Sequence, residues 1–121
     1  MLQFRRLVLV ILALALFLAG QVLAETAGFV SQVEDLPLMP GLTEVSEAGV
    51  VFDSPSGRIV EAYAEGTVSR AAVLNFYDET LPQLGWNRRG EAAFDREGEV
   101  LTLDFTDRQS ALVVRFTLKP Q

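Results

Sequence analysis

The sequence predicts an α+β domain in which a single helix packs on one face of an antiparallel sheet, in the order β-β-α-β-β-β. Three observations predict it. Leu101, Leu103 and Phe105 alternate with Thr102, Asp104 and Thr106, and Leu112, Val114, Phe116 and Leu118 alternate in the next segment. That period of two is the mark of half-buried antiparallel strands. Ala72, Val73, Phe76, Tyr77 and Leu81 recur instead at helical spacing. Turn chemistry separates the segments at Ser54-Pro55-Ser56-Gly57, Glu97-Gly98 and Asp107–Ser110. One helix laid over one sheet face buries both patterns economically.

The chain opens with features of an export signal. Arg5 and Arg6 precede thirteen uncharged apolar residues, Leu7–Ala19, and Val22-Leu23-Ala24 ends the run with a small-residue cleavage pattern. Thirteen residues make a helix of about 20 Å, short of the ~30 Å hydrocarbon core, so residues 1–24 read as a cleavable signal peptide rather than an anchor. An uncleaved anchor is the alternative, and the membrane is expected to matter only through that segment. No cysteine occurs, which excludes lipidation after the signal and any disulfide. A cysteine-free exported chain suits a bacterial periplasm.

Removing 24 of 121 residues leaves 97, enough for one domain. The chain's net charge of −6 becomes −8 when Arg5 and Arg6 leave. A field of that sign repels nucleic acid and anionic headgroups, so neither is an expected partner.

Residues 25–34 show little periodicity and read as a flexible lead-in, with the domain proper at 35–121. Asp35–Gly41 carries Pro37 and Pro40, which hold it extended as a strap, and its Leu36, Leu38, Met39 and Leu42 suit contact with the core. Gly49–Asp53 and Arg58–Ala64 read as a hairpin. In the second strand Val60, Ala62 and Ala64 share one face and Ile59 and Tyr63 the other, which makes it a candidate for cover on both sides. Ser69 is placed as helix N-cap, with Val68 and Val73 as a hydrophobic staple. Asn75, Asp78 and Glu79 face away from the stripe. Pro82 ends or kinks the helix at Leu81, and Gly85 is the residue to close it, with Trp86 folding back. Ala92–Arg96, Glu99–Thr106 and Ala111–Lys119 complete the sheet, with room for a short strand at Trp86–Arg88.

Pro40-Gly41, a hairpin, Asn75-Phe76-Tyr77-x3-Leu81-Pro82-x2-Gly85-Trp86 and further hairpins form a combination that resembles small exported bacterial domains of unknown function. In these a proline-glycine strap precedes a helix that carries a Phe-Tyr pair and ends in Gly-Trp. The resemblance spans about Leu36–Leu118. It implies a fold and a compartment and hands over no catalytic residue.

The composition excludes much chemistry. Without histidine or cysteine there is no imidazole base, no thiolate nucleophile and no soft metal ligand. Lys119, the single lysine, sits two residues from the last residue and next to Pro120, a poor place for a Ser–Lys dyad. Asp95-Arg96-Glu97-Gly98-Glu99 offers oxygen ligands at alternate positions, as a calcium loop would, but it lacks calcium-loop spacing and reads as a charged hairpin tip. No cofactor is expected.

The function expected is therefore a non-enzymatic binding or accessory module of the cell envelope, with a protein partner. Ile59, Tyr63, Trp86 and the basic pair Arg88-Arg89 are the residues from which a binding surface could be built. The alternatives are a small apolar-ligand carrier, with Ile59, Tyr63 and Trp86 lining a groove, and a hydrolase using two carboxylates. The first reading needs an exposed apolar patch on the acidic surface, the second an aromatic-lined cavity, the third paired acids in a cleft.

Overall fold

The computed structural model describes residues 28–121; the signal segment lies outside them. The elements are β1 (Thr43–Glu44), a 3₁₀ turn (Ser46–Ala48), β2 (Val50–Ser54), β3 (Gly57–Gly66), α1 (Arg70–Thr80), a second 3₁₀ turn (Leu81–Leu84), β4 (Asn87–Gly90), β5 (Ala93–Arg96), β6 (Glu99–Arg108) and β7 (Ala111–Pro120). The domain is α+β, with one helix and a seven-stranded antiparallel sheet. Two short strands, β1 and β4, extend the predicted order to three strands before the helix and four after it. β4 overlaps the short strand for which Trp86–Arg88 left room, whereas β1, at two residues, is too short to show a period in the sequence.

The sheet order is β1-β3-β7-β6-β5-β4, and β2 shares with β1 the outer side of β3. Register lines the apolar residues into rows across strands. Val60 faces Leu118, which faces Leu101, which faces Phe94; Ala62 faces Phe116, which faces Leu103. All seven are buried. Val73, Tyr77 and Leu81 of the helical segment bury themselves on these rows, with the Tyr77 ring edge-on to Phe116 at 5.5 Å.

Both helix ends follow from the residues present. The Ser69 hydroxyl accepts the Ala72 N–H at 3.1 Å, and Val68 packs on the core beside buried Val73. The α-helix ends at Thr80, and Pro82 sits in the 3₁₀ turn that follows. Gly85 takes φ +89°, which a β-carbon disfavours, while Trp86 N–H donates to Leu81 C=O and Gly85 N–H to Pro82 C=O. These two bonds are the Schellman pair. Trp86 and Leu81 are buried together as the motif requires.

Residues 28–34 are part of the fold, not only a lead-in. Val30 and Val33 are buried, Val30 N–H bonds Leu36 C=O at 2.8 Å and Leu38 N–H bonds Gly28 C=O at 2.9 Å. Val30, Val33 and Leu36 are spaced by three, a pattern too short to stand out in a sequence. Side chains from distant elements tie this loop down. Ser31 donates to both Glu44 oxygens, Arg58 reaches Gln32 C=O and Arg96 reaches Glu34 C=O. The Tyr77 hydroxyl donates to Pro37 C=O and accepts the Met39 N–H, which fixes the proline strap over the helix.

Among the described residues the opposite face of the sheet carries no helix. There Tyr63 stands opposite Arg115 and Arg115 opposite Asp104, with Thr102, Thr117 and Glu61 in the adjoining row. Ile59 and Tyr63 are half-buried on this open face, so β3 is covered by the helix layer on one side only.

Candidate functional site

Of the five residues selected from the sequence, the structure keeps Ile59 and Tyr63 on one face and separates them from the rest. Trp86 is 3% exposed and belongs to the core on the helix side, where the Arg96 guanidinium lies 4.3 Å above its ring. Arg96 also donates to Leu84 C=O, so it clamps the helix end, the indole and the N-terminal loop at once. A groove lined jointly by Ile59, Tyr63 and Trp86 is therefore not assembled: alternation along β3 sends Val60, Ala62 and Ala64 toward Trp86's side and Ile59 and Tyr63 to the other.

The basic pair is spoken for by acids. Arg88 Nε lies 3.4 Å from Asp78 and Arg89 Nε 3.5 Å from Asp95. Asp78 lies off the apolar stripe, as expected, and is partly exposed, but its Oδ1 is buried without a hydrogen bond and faces Arg88 as an ion pair only. At the β5–β6 tip the acids also scatter. Asp95 meets Arg89, Glu99 meets Arg58 at 3.2 Å, and Glu97 is an exposed turn residue at φ +50°. Among the described residues no three acids are gathered as a metal would need.

What the structure adds is the exposed edge position of β2. Val50, Val51 and Phe52 are 47%, 49% and 49% exposed, three consecutive large apolar residues on one strand. β2 pairs with β3 and with no other described strand. Val51 stands opposite Val60 and so borders the helix side, whereas Val50 and Phe52 stand opposite Glu61 and Ile59 on the open face. Phe52, Ile59 and Val50 form an apolar margin there, which brings one sequence-selected residue, Ile59, into the site. The signal in the sequence was the unbroken Val50-Val51-Phe52 run, which reads equally well as a strand covered on both sides.

The chain segment that carries β2 is acidic, although the β3–β7 register brings exposed Lys119 beside Ile59. Thr43–Gly66 contains Glu44, Glu47, Asp53, Glu61 and Glu65 against one base, Arg58, and that base is committed to Glu99 and Gln32. A depression of about 230 Å³ opens where the first 3₁₀ turn lifts the chain off β3, bordered by Val50, Val51, Glu44 and Glu61. A second, open depression of about 580 Å³ lies at the other end of β3, by Gly66, Arg108 and Gln109. Neither is lined by an aromatic side chain. The smaller is below the ~300 Å³ at which small-molecule pockets begin. Its Glu44 carboxylate is already held at both oxygens by Ser31 at 2.8 Å.

On the open face, the hydrogen bond and then the charge of Asp104, followed by the Tyr63 hydroxyl, raise the Arg115 pKa above its ordinary value. No helix of the described residues is long and apolar enough to cross a membrane. Comparison with known proteins finds no family, no curated protein and no solved structure that matches this chain.

Proposed function

We propose that the chain is an exported, non-enzymatic binding module of the bacterial cell envelope that engages a protein partner through β2. The observation that carries this reading is the run Val50-Val51-Phe52, half exposed on a strand whose outer edge pairs with no described strand. Edge strands are ordinarily blunted by lysine, proline or an inward charge, because an unpaired apolar edge recruits other strands. Here the three central positions carry none of these, on a chain that is otherwise strongly acidic. The two depressions near β3 are too small or too open, and too poor in aromatics, to favour a carrier.

Two measurements test the reading. Mass spectrometry of the protein recovered from cells should find Glu25 as the first residue; an intact Met1 in the membrane fraction would favour the anchor. A photo-crosslinking residue at position 52 should give a discrete adduct in cells, while one at Glu79, exposed on the helix, should not. Equal labelling from both positions would remove β2 as the binding surface.

A further inference from the structure

We infer that the occupant of the β2 edge is an extended segment of a partner protein in which apolar residues alternate with lysine or arginine. This rests on the binding-module reading and specifies the chemistry of the partner. Backbone geometry supplies the first argument. A strand paired on one side leaves alternate N–H and C=O groups directed outward, and another extended backbone satisfies them best. Five residues offer about 17 Å of such edge. Apolar contact is available on both sides of an added strand, from Val51 toward the helix face and from Val50 and Phe52 on the open face.

Charge chooses among the strands that could fit. Five acids and one committed arginine across Thr43–Gly66 favour a cationic segment and oppose an acidic one. The same charges oppose a second copy of this chain, because a two-fold pairing of β2 would bring two segments of the same net negative charge together. The 230 Å³ depression has room for one long side chain. A lysine or arginine stem would lie on Val50 and Val51 with its cation toward Glu44 and Glu61.

The test uses the isotope-labelled exported chain and three synthetic peptides: alternating Val-Lys, alternating Val-Glu, and a Lys-Ser peptide of equal charge without apolar residues. The Val-Lys peptide should shift the amide signals of Val50–Ser54 and Glu61, slow amide exchange along β2, and weaken as salt is raised. The Val-Glu and Lys-Ser peptides should bind at least about tenfold more weakly, a difference of about 1.4 kcal/mol. Phe52→Lys, at a half-exposed site, should keep the parent's melting temperature and lose Val-Lys binding by a similar factor. No response at β2 to the Val-Lys peptide overturns the inference. So does equal binding of the Val-Glu peptide, or protection of β2 that rises with protein concentration alone, which would assign the edge to a second copy. A crosslink from position 52 to a different protein in cells, together with either of the two peptide results, would leave the partner reading standing and remove only its chemistry; a crosslink between copies of this chain would remove both.

Discussion

A side chain on Gly66 would collide with the carbonyl oxygen of Gly41, because the proline strap crosses the end of β3 with its backbone against the glycine's α-carbon. Gly41 itself sits at φ +97°, with Val68 Cγ1 2.9 Å from where its own β-carbon would be. The strap, the end of β3 and the helix entry thus meet at a point where only backbone fits.

Gly66→Ala should consequently destabilise the domain by on the order of 3 kcal/mol or more, since the obstacle is main chain and cannot rotate away. For a domain of this size that is a fall in melting temperature of roughly 12–24 °C. A variant that melts with the parent would show that the strap does not sit there.

Tyr77→Phe should cost about 1–3 kcal/mol, because it strands the Pro37 carbonyl and the Met39 N–H in a part-buried place. Burial raises the Tyr77 pKa above the ordinary 10.0, and the Met39 hydrogen bond offsets this only in part. A raised folded value means the neutral hydroxyl is favoured in the native state. Its contribution is fully present below pH 10.0 and is lost as pH climbs from there toward the folded value. Denaturant melts of parent and Phe variant should therefore converge at alkaline pH; a gap that stays constant would contradict the burial.

Trp86→Ala should cost about 3–5 kcal/mol, since it empties a core position. It also removes the surface on which Arg96 rests. Arg96→Met, which keeps the stem, should cost about 1–3 kcal/mol through the lost bonds to Leu84 and Glu34. Combined in a double-mutant cycle, the two effects should be less than additive. Strict additivity in thermal melts would mean that ring and guanidinium are not coupled.

Glu97→Asn should raise stability by up to about 1 kcal/mol, because Glu97 and Gly98 hold φ +50° and +81° in the β5–β6 turn and asparagine tolerates the first of these better than glutamate. A lower melting temperature would show that the Glu97 side chain contributes something the turn needs.

Local chemistry was enough to predict the strands β2, β3, β5, β6 and β7, the Ser69 cap and the Gly85-Trp86 closure, and to leave room for β4, because alternation, capping hydroxyls and glycine at positive φ act within a few residues. Trp86 as a core residue follows from the same motif, which turns the indole back onto Leu81. Tertiary structure alone decided three other matters. Val30 and Val33 entered the core because Glu44, Arg58, Arg96 and Tyr77, all distant in sequence, hold their loop and strap in place. Arg88 and Arg89 became partners of Asp78 and Asp95 through the β4–β5 pairing and the helix beside it. The apolar run Val50–Phe52 became an exposed edge rather than an interior strand because β2 pairs with β3 on one side and with no described strand on the other. Apolar composition specifies that a strand can be buried. Only the order of strands determines whether a neighbour in the sheet buries it.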